Sequence, residues 1–217
     1  MRTIERKIES NGLDSFAFET DESPADFIVD WFSDWLENYV SNGAEISDGQ
    51  TLQVGYTLVQ CNVLGKSLRL QAPDFSSMPI TWTPNMGPAF QIIGWHKYVP
   101  ENFSFTPNIP TLQQTVIVGR DYDQLPMFGN RLAPTGTNDS GWFFGSTRED
   151  VDNNDPEQLN VISLYEALLS APQMLPYLSM PTDCQIMFSS DKPEILQNFE
   201  PLEITAGSMV DLLLKSY

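Results

Sequence analysis

The 217-residue sequence is poor in the residues that usually carry chemistry: one histidine, two cysteines, and long stretches without a base. Each shortage excludes something. A Ser-His-Asp or Cys-His device would have to use His96, and nothing in the sequence places a nucleophile beside it. One His with the distant Cys61 and Cys184 leaves no zinc ligand set of usable spacing. Both cysteines lie in apolar, strand-like segments and read as buried free thiols. Neither a Gly-x-Gly-x-x-Gly turn nor a P-loop is present, so no cofactor is expected. No apolar run approaches the roughly 18–20 residues that span a bilayer. Met1-Arg2-Thr3-Ile4-Glu5-Arg6-Lys7 has charge with no apolar segment behind it, so no signal peptide is expected. Together these absences point to the cytoplasm.

What is abundant is negative charge: 29 acids against 11 bases, a net −18. It is uneven. Between Lys7 and Lys66 there is no base, while Glu9, Asp14, Glu19, Asp21, Glu22, Asp26, Asp30, Asp34, Glu37, Glu45 and Asp48 fall there. A second base-free window holds Glu149, Asp150, Asp152, Asp155, Glu157, Glu166, Asp183 and Asp191. Binding nucleic acid through phosphates needs the opposite sign, and anionic membrane surfaces are disfavoured for the same reason. A basic protein would be steered in. Solubility alone is the bland explanation of the same charge.

The apolar fraction of 41% is enough for a core. Residues 1–20 read as a polar arm ending in a short strand, Ser15-Phe16-Ala17-Phe18. The clearest helix follows. Ser23 suits its N-cap, Pro24 its first position, and Asp26 closes a capping box. Phe27, Trp31, Trp35 and Tyr39 recur every four residues beside Ile28, Phe32, Leu36 and Val40, a wide stripe expected to be core, with Gly43 as a left-handed cap. Asp26, Asp30 and Asp34 line one ridge and repel one another, with no base in the helix to offset them.

Gln50 to Val63 alternates as one strand, and Leu64-Gly65-Lys66-Ser67 turns it into a hairpin with Leu68-Arg69-Leu70. Met86 to Val99 reads as a helix. The proline-rich stretch 100–114 suggests a boundary, giving an N-terminal half over 1–105 and a C-terminal half over 106–217. The second half offers a strand at Thr115–Val118 and a polar loop from Arg120 to Asp139. A helix follows, capped by Asp155 and burying Val161, Leu164, Tyr165, Leu168 and Leu169. A short helix over Gln173–Leu178 and a strand over Cys184–Phe188 complete the pattern. Without βαβ regularity, the expected class is α+β: mixed or antiparallel sheets with packed helices, in two intimately associated halves.

Two stretches invite chemistry. Asp150-Val151-Asp152-Asn153-Asn154-Asp155 offers oxygen ligands at first, third and fifth places, as a calcium loop does. Its sixth place is Asp155 rather than Gly, and its twelfth is Val161 rather than Glu, so a helix-capping acidic turn fits better. A cation-dependent hydrolase using Asp150 and Asp152 is the enzymatic alternative. A generic acidic interaction module is the other. In Asp139-Ser140-Gly141-Trp142 the Gly-x-Ser-x-Gly elbow is missing. There Asp139 and Ser140 suit a local turn, Gly141 permits a close approach, and Trp142 and Phe144 suit the core.

The run Val116-Ile117-Val118-Gly119-Arg120, then Asp139-Ser140-Gly141-Trp142-Phe143-Phe144-Gly145, then the acidic loop, Leu164-Tyr165, Leu178, Pro181 and Phe188 resembles bacterial immunity protein family thirty-three over about 115–190. The N-terminal half resembles an extension carried by some members. The family's usual Gly-Asp-Glu reads Gly145-Ser146-Thr147-Arg148-Glu149 here, and its base after the last Phe is Ser189 or Ser190. The resemblance implies a protein that binds and neutralises a cognate antibacterial toxin and performs no catalysis. The expected contact surface is Glu149, Asp150, Asp152, Asp155 and Glu157, with Asp26, Asp30 and Asp34 second, facing a basic toxin domain.

Overall fold

The computed structural model describes residues 1–10, 12–21, 25–190 and 192–215, with backbone alone for Glu9 and Ser10. The chain divides into two compact units, Met1–Gly94 and Trp95–Tyr217. Both combine a mixed sheet with helices, the α+β class expected from the sequence.

In the first unit the expected polar arm is a strand, β1 (Arg2–Ser10), paired antiparallel with β2 (Leu13–Thr20). Its even positions explain this: Ile8 is fully buried and Ile4 packs on the core, so a charged sequence still carries an apolar edge of period two. Helix α1 (Asp26–Ser41) follows. Its N-cap is Ala25, with no side-chain cap; Ser23 and Pro24, the expected cap and first position, lie outside the described residues. Gly43 takes the left-handed conformation after the helix, at φ 94°.

The single strand expected over Gln50–Val63 is a hairpin of β3 (Thr51–Val54) and β4 (Thr57–Leu64), turned at Gly55 with φ 57°. Leu52, Val54, Tyr56 and Leu58 are all buried, so the alternation runs through the turn and conceals it. With β5 (Ser67–Pro73) and β6 (Trp82–Thr83) the sheet order is β1-β2-β5-β4-β3, with β6 on β5. Only β2 and β5 run parallel in that path. Phe18, Phe32 and Phe90 meet edge-to-face at 5.3–5.5 Å in the core, Phe90 being supplied by α2 (Gly87–Glu101).

Only half of the α1 stripe is core. Ile28, Phe32, Leu36 and Val40 are buried, but Phe27, Trp31 and Tyr39 are 53%, 47% and 37% exposed. A helix on a sheet buries one arc, and a four-residue step rotates a row by about 40°. The row starting at Phe27 therefore begins in solvent and reaches the interface only near Trp35, which stacks on Phe32 at 5.8 Å and on Tyr39 at 5.6 Å.

The second unit contains β7 (Thr115–Val118), β8 (Met127–Arg131), β9 (Asp139–Ser146), β10 (Asn160–Ser163), β11 (Cys184–Phe188), β12 (Glu194–Gln197) and β13 (Glu200–Pro201). Their order is β10-β7-β9-β8-β11-β12-β13, with β7 and β9 parallel. Helices α3 (Leu164–Ser170) and α4 (Met209–Leu214) complete it. The helix expected from Asp155 is shorter than its pattern. Asp155 caps a 3-10 turn, Pro156–Gln158, and the β-branched Val161-Ile162 then pairs with β7 as a strand. The helix itself starts after Ser163, whose hydroxyl accepts from Glu166 N–H. Val161, expected in the core, is 66% exposed.

Candidate functional site

The Asp-Ser-Gly-Trp run opens β9 and is architectural. Asp139 accepts from Thr135 N and Oγ1, each at 2.8 Å, and from Gly141 N at 2.8 Å. The bond from the Thr135 amide is the chief reason its carboxyl titrates below the usual range. Ser140 Oγ donates to Thr115 O at 2.7 Å. Gly141 has φ 76°, and a Cβ there would lie 2.1 Å from the Leu132 carbonyl oxygen. Trp142 is buried, with Nε1 donating to Leu178 O at 3.0 Å, and Phe144 packs on it. Every member of the run is used to hold strands together, as its residue types suggested.

Beyond β9 the chain forms the acidic loop. Asn153 anchors it: Nδ2 donates to Ser146 O at 2.8 Å and Oδ1 accepts from Ser146 N at 3.3 Å. Space for Asn153 exists because Gly119 follows β7 and Gly145 is the penultimate residue of β9. A Cβ on Gly145 would sit 2.5 Å, and one on Gly119 3.1 Å, from Asn153 Oδ1. Two bases from outside the base-free window enter here. Arg148 Nε lies 3.1 Å from Asp150, and Arg120 Nη2 lies 3.3 Å from it and bonds the Asp150 carbonyl. Both guanidinium groups also reach Asp121, at 3.5 and 3.7 Å. The hydrogen bond from Arg148 is the main cause of the lowered Asp150 pKa.

The expected contact residues therefore differ in what they have left to offer. Asp150 belongs to a tetrad of two cations and two anions. Asp155 is occupied by Glu157 N at 3.0 Å and Gln158 Nε2 at 2.9 Å, the latter chiefly holding its pKa down. Asp152 spends one oxygen on Asn154 N at 2.9 Å. Glu149, Asp152 and Glu157 are exposed and have no ion pair among the described residues. In the first unit, Asp26 and Asp30 are compensated from β1: Arg2 reaches Asp26 at 2.5 Å and Arg6 reaches Asp30 at 2.7 Å. The repulsion along that ridge, unrelieved within the helix, is relieved by a neighbouring strand. Asp34 is exposed and has no ion pair among the described residues.

The interior holds a cation that sequence reasoning passed over. Arg131 is 1% exposed. Its Nη1 lies 2.6, 2.5 and 2.7 Å from the carbonyl oxygens of Asn108, Leu178 and Met180, and its Cζ lies 5.6 Å from the centroid of the Trp142 ring. Burial lowers its pKa to about 10. The signal was legible: Met127, Gly129 and Arg131 alternate on the buried face of β8. His96 is also buried, with Nε2 2.8 Å from Leu175 O, and desolvation lowers its pKa to about 4. Cys61 and Cys184 are buried free thiols, pushed up to about 12 and about 11. Among the described residues, no three His, Cys, Asp or Glu side chains converge to hold a metal ion. No helix among them is long and apolar enough to cross a membrane.

A mixed sheet whose signature run is spent on architecture, carrying an anchored acidic loop after an interior strand, defines an α+β domain with an exposed cluster of carboxylates. Residues 96–198 match the family model described as the Imm33-like domain. That segment is similar to the Imm33-like domain, and the resemblance over about 115–190 falls inside the match. No curated protein and no solved structure matches the chain.

Proposed function

We propose that this chain is an immunity protein that binds a cognate antibacterial toxin in the cytoplasm and occludes its active site, without catalysis of its own. The family match supplies the immunity theme. The observation that carries the mechanism is the anchored loop after β9. Asn153 and the Arg120–Arg148–Asp121–Asp150 tetrad fix its backbone, while Glu149, Asp152 and Glu157, exposed and without an ion pair among the described residues, can pair outward. Fixed carboxylates attract a basic partner at a distance and lose little side-chain or loop freedom on contact. A toxin with a cationic cleft, as one acting on nucleic acid carries, is the fitting partner. Asp34 of α1 is the second anionic contact.

The test is co-expression with the toxin, followed by association kinetics on the purified pair. The combined change Glu149→Gln, Asp152→Asn, Glu157→Gln should slow association and flatten its dependence on ionic strength, leaving dissociation nearly unchanged. Unaltered association at low salt would remove the loop from the interface.

A further inference from the structure

The first unit lies outside the family match, yet it carries a concentrated exposed apolar feature. Phe27 and Trp31 stand on the solvent side of α1, Tyr39 is partly exposed near its C-terminal end, and Trp35 is fixed by stacking between Phe32 and Tyr39. Exposed large aromatics grouped on one helix mark interaction surfaces. Helix α1 contains no base, and Asp34 borders the aromatic row at Trp31 without an ion pair among the described residues. Asp34 is three residues from Trp31, one turn along the same face.

We propose that this face of α1 docks a cationic amphipathic segment of the toxin, with an arginine or lysine over Trp31 and beside Asp34. This rests on the immunity reading above. An indole face attracts a guanidinium through its quadrupole, and an adjacent carboxylate completes the charge match. Charge selects among the occupants. A second copy of the chain would set Asp34 against its own equivalent, and an anionic lipid surface would meet the same repulsion. A basic protein segment satisfies both the rings and the acids.

Two measurements on the full chain decide it. In the first, indole resonances of the ¹⁵N-tryptophan-labelled protein are followed while a synthetic helical peptide with Leu and Arg at four-residue spacing is added. The Trp31 and Trp35 signals should move, and a Glu-for-Arg version of the peptide should leave them in place. Equal effects of both peptides, no shift, shifts confined to other tryptophans, or concentration-dependent dimerisation of the chain alone would overturn the proposal. In the second, Trp31→Ser with Asp34→Asn should weaken the toxin complex at least tenfold through faster dissociation, while the variant still melts cooperatively. If the wild type rescues growth from the toxin and the double variant binds within twofold of it, the docking face is wrong and the immunity reading stands. If the wild type rescues from no toxin, the immunity reading fails, and the peptide titration still decides the chemistry of the face.

Discussion

Arg131 is the place where a substitution most directly tests the energetics of the second unit. Two effects oppose each other there. Burial lowers the guanidinium pKa from 12.5 to about 10, which at about 1.4 kcal/mol per pH unit corresponds to a desolvation cost of about 3 kcal/mol. Against it, the two Nη1 protons serve three carbonyls, on Asn108, Leu178 and Met180. Two charged hydrogen bonds contribute about 3–6 kcal/mol, and the cation–π contact with Trp142 adds about 1 kcal/mol. Arg131→Met fills similar space, removes the cost and removes the bonds. It also leaves the Asn108 and Met180 carbonyls short of a donor, while Leu178 O keeps Trp142 Nε1. The bonds win, and the variant should lose about 1–4 kcal/mol. Arg131→Lys keeps the charge but cannot span three acceptors with one planar fork, and should lose about 1–2 kcal/mol. Urea unfolding followed by Trp142 fluorescence, in a background with the other tryptophans replaced by phenylalanine, reads the second unit. Equal or greater stability of Arg131→Met would show that desolvation outweighs the bonds and would refute the reasoning.

Gly141→Ala meets the Leu132 carbonyl at 2.1 Å and should cost more than about 3 kcal/mol, visible as loss of soluble, cooperatively melting protein. Asn153→Ala removes both bonds to Ser146 and should cost about 1 kcal/mol, with faster amide exchange confined to 147–155. His96 supplies a pH signature. As pH falls below 6.5 the unfolded chain takes up its proton, while the folded chain resists until about 4. Stability is therefore full above pH 6.5 and falls by up to about 3 kcal/mol on the way to pH 4. His96→Gln should flatten the profile across that window relative to wild type; parallel profiles would contradict it.

The sequence displayed elements whose periodicity matches a single environment. Thr115–Val118 and Cys184–Phe188 were legible to the residue because each is a short apolar run bounded by turn signals. The 87–101 helix was legible within two residues. Errors arose where two environments share one pattern. Leu52 to Leu58 alternates straight through a hairpin, and Val161-Ile162 fits a helical stripe although it pairs as a strand. The aromatic row of α1 looked like core because composition does not reveal how wide an arc the sheet covers. At the acidic loop, charge was visible but its neutralisation was not. Arg120, Arg148, Arg2 and Arg6 come from outside the base-free windows, and only the fold brings them to Asp150, Asp26 and Asp30.

The pairing of β1 with α1 also bears on strand alignment. Arg2 and Arg6 alternate along β1 with Ile4 and Ile8 on one face of the strand. A slip of one residue would turn that face over and bring Glu5 toward Asp26 and Asp30 while swinging both arginines away. Each surface pair alone contributes at most about 1 kcal/mol, but a misaligned strand would forfeit two attractions and acquire a repulsion together. The ion pairs thereby proofread the threading of the first strand, a task for which weak, exposed contacts suffice.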